Sequence, residues 1–283
     1  MSDTMQLTDN NTTDSEPRTI ASPRFRATIG NFYEPADRAA IDGLVKWIED
    51  EYRGDLRKRP SKHVYLSALP SYVVARMDRL RDSPVIHRLI MRQFAAGSVI
   101  TRMKHTDELY ISHYNKDKGG DQGLYDKHYD GNLRFLPYGA VVRALIYLQS
   151  DASYKVVFQD SGVQRAFASY EFGLLDFHRE LHWVEGEYNP ADRQRILLKC
   201  SYLITPRNSG WLRHALLAAN TGVFYPVKAA MEYSKSPNSP AQRAVGLLCN
   251  LVRRLNNLHP LVPLALIAAV LGGAGLAVFS LLT

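Results

Sequence analysis

The chain has 283 residues, a formal charge of +7 and 46% hydrophobic residues, with sixteen Tyr, ten Phe and three Trp. That is enough for one sizeable globular core with short appended segments, and the aromatic content excludes general disorder. Only two cysteines, Cys200 and Cys249, occur, which excludes a disulfide framework or a thiolate zinc site and points to a reducing compartment.

Residues 1–23 carry Asp3, Asp9, Asp14 and Glu16 against Arg18 and lack an apolar stretch, so they read as a disordered leader and not as a secretory signal. Phe32 to Asp37 reads as a helix start, with Leu44, Trp47 and Ile48 as its apolar stripe and Gly54 as its stop. The one tight basic run, Arg57-Lys58-Arg59 before Pro60, reads as a solvated loop. No basic motif is interleaved with aromatics, so nucleic acid is not an expected partner. A second helix is expected after Pro84, using Ile86, Leu89, Ile90 and Phe94.

From Val99 the pattern turns to strands: Val99–Thr101, Leu109–Ser112, Val141–Leu148, Val156–Phe158 and Ile196–Ile204, separated by polar or glycine-bearing turns. Such spacing suggests a sandwich or barrel with helices packed outside. Pro206 closes this region, and residues 207–258 read as helices with mixed faces. Trp211, Leu212, Leu216 and Leu217 with Arg213 suit either a membrane interface or packing on the body, and Ser234 to Pro240 reads as a hinge. Residues 261–282 carry no charge and are dominated by Leu, Ala, Val and Ile. About 20 helical residues cover a hydrocarbon core of about 30 Å, so this run reads as a C-terminal transmembrane helix, with a buried core helix as the alternative. Arg253 and Arg254 precede it, which by the positive-inside rule keeps the body facing the cytosol.

Among nine histidines, His128-Tyr129-Asp130 with His182 downstream stands out. In an extended segment, residues two apart point to the same side, so His128 and Asp130 can present two ligands to one ion. A third imidazole would complete a set of two histidines and one carboxylate with open coordination positions, as oxygen activation at Fe(II) requires.

The surroundings resemble the prolyl-4-hydroxylase-like branch of the Fe(II)/2-oxoglutarate dioxygenases, over about residues 99–206. Tyr114, Gly119-Gly120 and Tyr125 lead to His128-Tyr129-Asp130, and Arg143 to Tyr147-Leu148 matches the family's following strand. Gly173 to Phe177 leads on to His182-Trp183-Val184-Glu185-Gly186, and Arg195 to Tyr202 matches the last strand. The resemblance implies an α+β fold with a double-stranded β-helix (jelly-roll) core and flanking helices, in a domain over residues 24–206. A helical juxtamembrane region over 207–258 and the anchor would follow it. It also implies that His128, Asp130 and His182 bind Fe(II), that Arg195 pairs with the distal carboxylate of 2-oxoglutarate, and that Tyr114 hydrogen-bonds this cosubstrate. O2 then oxidises a C–H bond with release of succinate and CO2, the substrate being a lipid, a small molecule or a protein side chain.

His178 competes with His182, although Val184 and Gly186 follow His182 at the family's places; Arg193 and, more remotely, Lys199 compete with Arg195. Residues 187–192 read as an insertion, and Ser153 to Phe158 lacks the Gly-Gly and Thr of many relatives. Asp130 stands where halogenating relatives carry a small residue, so hydroxylation is the expected chemistry. A non-catalytic, tail-anchored interaction protein, or a barrel metalloprotein without a keto acid, are the alternatives.

Overall fold

The structure is a computed structural model that describes residues 24–56, 61–112, 126–131, 133, 139–185, 195–234 and 238–258. Among the described residues, ten strands and five α-helices follow one another as β1 (Thr28–Asn31), α1 (Pro35–Leu56), β2 (Ser61–Tyr65), α2 (Ser71–Arg81), α3 (Pro84–Met91), β3 (Ser98–Arg102), β4 (Glu108–Ser112) and β5 (Ala140–Gln149). Then come β6 (Asp151–Phe158), β7 (Val163–Ala168), β8 (Glu171–Asp176), β9 (His182–Glu185), β10 (Arg195–Pro206), α4 (Gly210–Ser234) and α5 (Pro240–Leu258).

The larger sheet has the order β1-β8-β5-β10-β4-β2, with β3 also paired to β10; the smaller has the order β7-β6-β9. Every strand pairing among the described residues is antiparallel. Strand periodicity sorts β10 into two faces. Ile196, Leu198, Cys200, Tyr202 and Ile204 join Val142, Ala144, Ile146 and Leu148 of β5 in one apolar layer, which Ile41, Leu44 and Ile48 of α1, Val73, Met77 and Leu80 of α2, and Ile86 and Ile90 of α3 cover. On the opposite face, Leu197, Leu145, Tyr147 and Leu175 meet Tyr154, Val156, Phe158, Phe167 and Val184 of the smaller sheet. The expected mixture of helix and strand thus takes the form of two facing antiparallel sheets with helices backing the larger one. Arg195, Lys199 and Ser201 alternate with the β10 apolar set, so they stand on the inner face between the sheets.

The expected strands all occur, within longer or equal spans. α1 runs on through Gly54 to Leu56, because a glycine inside a helix costs only about 1 kcal/mol relative to alanine. α3 ends at Met91; Phe94 lies in the turn beyond it and stacks on Phe25 at 6.0 Å. Of the two readings of the 211–217 segment, packing on the body describes the leucines. Leu212, Leu216 and Leu217 meet Met103, Val141, Phe177 and Leu203, while Trp211 is 78% exposed. The leader over 1–23, the basic run 57–59 and the apolar run 261–282 lie outside the described residues. Among the described residues, no helix is long and apolar enough to cross a membrane.

Candidate metal centre

The segment 126–131 lies against β9 and the turn before it. His128 and His182 exchange both backbone hydrogen bonds at 3.0 Å, and the Gly131 amide donates to the Phe177 carbonyl at 2.9 Å. Directly opposed residues in an antiparallel bridge put their side chains on the same face, and the two imidazole centroids are 4.5 Å apart. Asp130, two residues on, adds its carboxylate: Oδ1 is 3.7 Å from His128 Nε2 and 3.8 Å from His182 Nε2. One ligand atom from each of the three residues lies within 4.8 Å of the others. Two donors each about 2.1 Å from a shared ion are about 3–4 Å apart, so the set has the dimensions of a metal site.

The tautomers agree with that reading. His128 Nδ1 is 2.8 Å from the Asp126 carbonyl, and His182 Nδ1 is 3.1 Å from the Glu180 carbonyl. In each case a carbonyl two residues upstream accepts the Nδ1 proton, leaving the Nε2 lone pair turned towards Asp130. Burial, aided by the neighbouring His128, pushes the His182 imidazole down to about 4, so it is neutral and able to ligate near pH 7. Burial opposes ionisation of Asp130, but the Arg143 guanidinium and the histidines outweigh it and hold the carboxyl well below its usual range. Arg143 Nη1 is 3.2 Å from Asp130 Oδ2, so one carboxylate oxygen faces the imidazoles and the other is engaged. Arg143 is 1% exposed, donates through Nε to Ser201 Oγ at 3.3 Å, and lies 4.2 Å over the Phe177 ring.

His178 stands apart from this group. Asp176 Oδ1 accepts the amides of His178 and Arg179, forming a turn that sends the His178 ring towards α4. There Nε2 donates to Asn220 Oδ1 at 2.7 Å, and Nδ1 accepts the Leu133 amide at 3.3 Å. With both ring nitrogens engaged inside the protein, no lone pair is left for a metal. A Cβ on Gly131 would overlap this same ring, so the close approach of the 126–131 segment requires glycine there.

Arg195 lies at the far end of the inner face, 6% exposed, with Nε 3.3 Å from Ser112 Oγ and its guanidinium 5.5 Å over Tyr154. It has no carboxylate partner among the described residues. Tyr147, paired in register with Leu197, is stacked on Phe167 at 4.4 Å, and its buried hydroxyl has no hydrogen-bond partner among the described residues. An uncompensated cation and an orphaned phenol on one inner face form a fitting cradle for an anion. Tyr114 and Arg193 lie outside the described residues. Lys199 Nζ faces Glu108 Oε1 at 3.4 Å.

Sequence reasoning gave Arg143 no role beyond its place in a pattern, and it missed Glu108, Asn220 and Lys228. The last two lie on α4, which carries no motif; only its packing brings them to the site.

No family model and no curated protein sequence matches the chain. Among solved structures, it is similar to the non-haem α-ketoglutarate-dependent epimerase SnoN from nogalamycin biosynthesis, at 14% identity and a TM-score of 0.43, covering 66% of this chain and 82% of that one. A prolyl 4-hydroxylase from Phytophthora capsici matches at 13% identity and a TM-score of 0.42, over 89% of this chain and 81% of that one. Iron-bound HygX from Streptomyces hygroscopicus matches at 15% identity and a TM-score of 0.39, over 65% and 83%.

Proposed function

We propose that this chain is a non-haem Fe(II)/2-oxoglutarate-dependent oxygenase that hydroxylates a lipid, a small molecule or a protein side chain. The observation that carries the reading is the triad itself: two imidazoles with carbonyl-fixed tautomers and one carboxylate oxygen, converging on one point. Two histidines and a carboxylate leave coordination positions open, which suits an oxygen-activating iron and not a closed structural zinc site. In this reading His128, Asp130 and His182 hold the metal. Arg195 and the Tyr147 hydroxyl take the distal carboxylate of the keto acid, the guanidinium fork offering two parallel donors. Iron and keto acid, when bound, supply O2-dependent oxidation of a C–H bond with release of succinate and CO2. The protein's own residues hold both, keep water out through the Tyr147–Phe167 and Phe158 layer, and fix which Asp130 oxygen ligates. The apolar run 261–282 would anchor the enzyme to a membrane with this body on the cytosolic side.

Full-length protein in detergent, given Fe(II) and 2-oxoglutarate without oxygen, is expected to develop the visible charge-transfer band of a chelated keto acid. His128→Ala and His182→Ala should abolish the band, and Arg195→Ala should raise the 2-oxoglutarate needed for it by tenfold or more. A folded wild type with no band and no iron uptake leaves the non-catalytic, anchored protein as the better account.

A further inference from the structure

Beside the triad, β4, β10 and α4 assemble a second charged group. Glu108 is fully buried, and its Oε2 is 3.1 Å from His63 Nδ1. Its Oε1 faces two ammonium groups, Lys199 Nζ and Lys228 Nζ, each at 3.4 Å. Two cations therefore share one carboxylate oxygen, although each ammonium has three donors to satisfy. Each also meets a ring face: Tyr110 lies 4.3 Å from Lys199, and Phe224 5.5 Å from Lys228. Arg143 adds a third cation, and its buried Nη2 has no hydrogen-bond partner among the described residues.

Among the described residues, Lys199, Lys228, Arg143 and Arg195 stand against Glu108 and Asp130, four positive charges against two negative. A divalent metal and a dianionic keto acid cancel each other and leave that excess unchanged. An unbalanced cation in a poorly hydrated interior is unfavourable unless a ligand brings an anion to it. Lys199 is also close enough to the triad for its charge to act on Asp130 and His182. The lysine side chains are 10% and 19% exposed, so neither is fully sealed from solvent.

We propose that the substrate is an acid anion, a carboxylate or a phosphate monoester, gripped by Lys199 and Lys228 so that a neighbouring carbon lies beside His128, Asp130 and His182. This rests on the oxygenase reading and narrows its substrate class. A purely structural Lys–Glu–Lys triad would show no preference for anions.

The test is calorimetric titration of the full chain in detergent, metal-free and loaded anaerobically with Fe(II) and 2-oxoglutarate. The probes are hexanoate, hexyl phosphate and the neutral isostere hexanamide. The loaded protein is expected to bind one of the two anions at least tenfold more tightly than the amide, which also tells carboxylate from phosphate. Lys228→Met and Lys199→Met should each erase most of that preference, the charge-transfer band reporting that the variants fold and load. An intact band with equal binding of anion and amide, or with anion binding unchanged in both variants, overturns the proposal alone. Absence of the band in the wild type overturns the oxygenase reading instead.

Discussion

Asp130 faces two ways, and its neighbours decide what it can do. Arg143 occupies Oδ2, so Oδ1 is left for a metal. Outer partners of this kind typically change metal affinity by about 10–100-fold. Arg143→Leu is therefore expected to weaken Fe(II) binding by that factor in a competitive chelator titration, without abolishing it. Gly131→Ala should act through position, since its methyl group would drive the 126–131 segment off the His178 ring; loss of the Fe(II) band in a variant that still folds is the expected result. His178 supplies the contrast, because His178→Gln should keep the band. Its burial holds the imidazole down at about 4, against 6.5 when free. The unfolded chain thus takes up a proton below pH 6.5 that the folded chain refuses until about pH 4. The associated stability is present above pH 6.5 and is lost as pH falls towards 4. Between pH 7 and pH 5 the loss is about 2 kcal/mol. Denaturant unfolding at both pH values should show it in the wild type and a smaller change in His178→Gln. Sequence alone left His178 and His182 as rivals. What separates them is the Asp176 turn, which sends one ring towards Asn220 while the β9 bridge brings the other to Asp130.

At the scale of elements, α4 belongs to the same packed body as the sheets. Leu216 is 5% exposed in a cluster with Met103, Val141, Phe177 and Leu203; Asn220 closes the bond to His178; Lys228 reaches Glu108. A buried leucine cut back to alanine costs about 2–5 kcal/mol, and Leu216→Ala is expected to fall in that range by equilibrium denaturation. A chain ending at Pro206 would expose that whole cluster and is expected to be aggregated or unfolded by circular dichroism. β5 and β10 were legible because their alternation is long and strongly apolar. β7 was not, since Gln164, Arg165 and Ala168 are exposed and only Phe167 is buried. α2 was also missed, because the buried face of Ser71–Arg81 includes an arginine, Arg81, compensated by Asp107 at 2.6 Å. A pattern of apolar residues cannot register a charge whose partner is supplied from elsewhere in the chain.

For the molecule as a whole, the two sheets set the distances that matter. The larger supplies Arg143, Tyr147, Arg195 and Lys199 from its inner face. The smaller supplies His182, and His128 comes from the segment bridged to it. The proposed anchor belongs to this scale too. Removing residues 259–283 is expected to move the chain from the membrane pellet to the soluble fraction, and an unchanged distribution would remove the anchoring proposal. By itself the sequence determined the strand and helix faces with long periodicity, the His-x-Asp pair, the rival candidates around it and the apolar terminal run, because these depend on neighbours in the chain. Tertiary structure decided which histidine meets Asp130, which oxygen of Asp130 is free, and that α4 brings Asn220 and Lys228 to the site. Those choices depend on contacts across 42 residues between His178 and Asn220 and across 120 between Glu108 and Lys228, and no local pattern encodes a partner that distant.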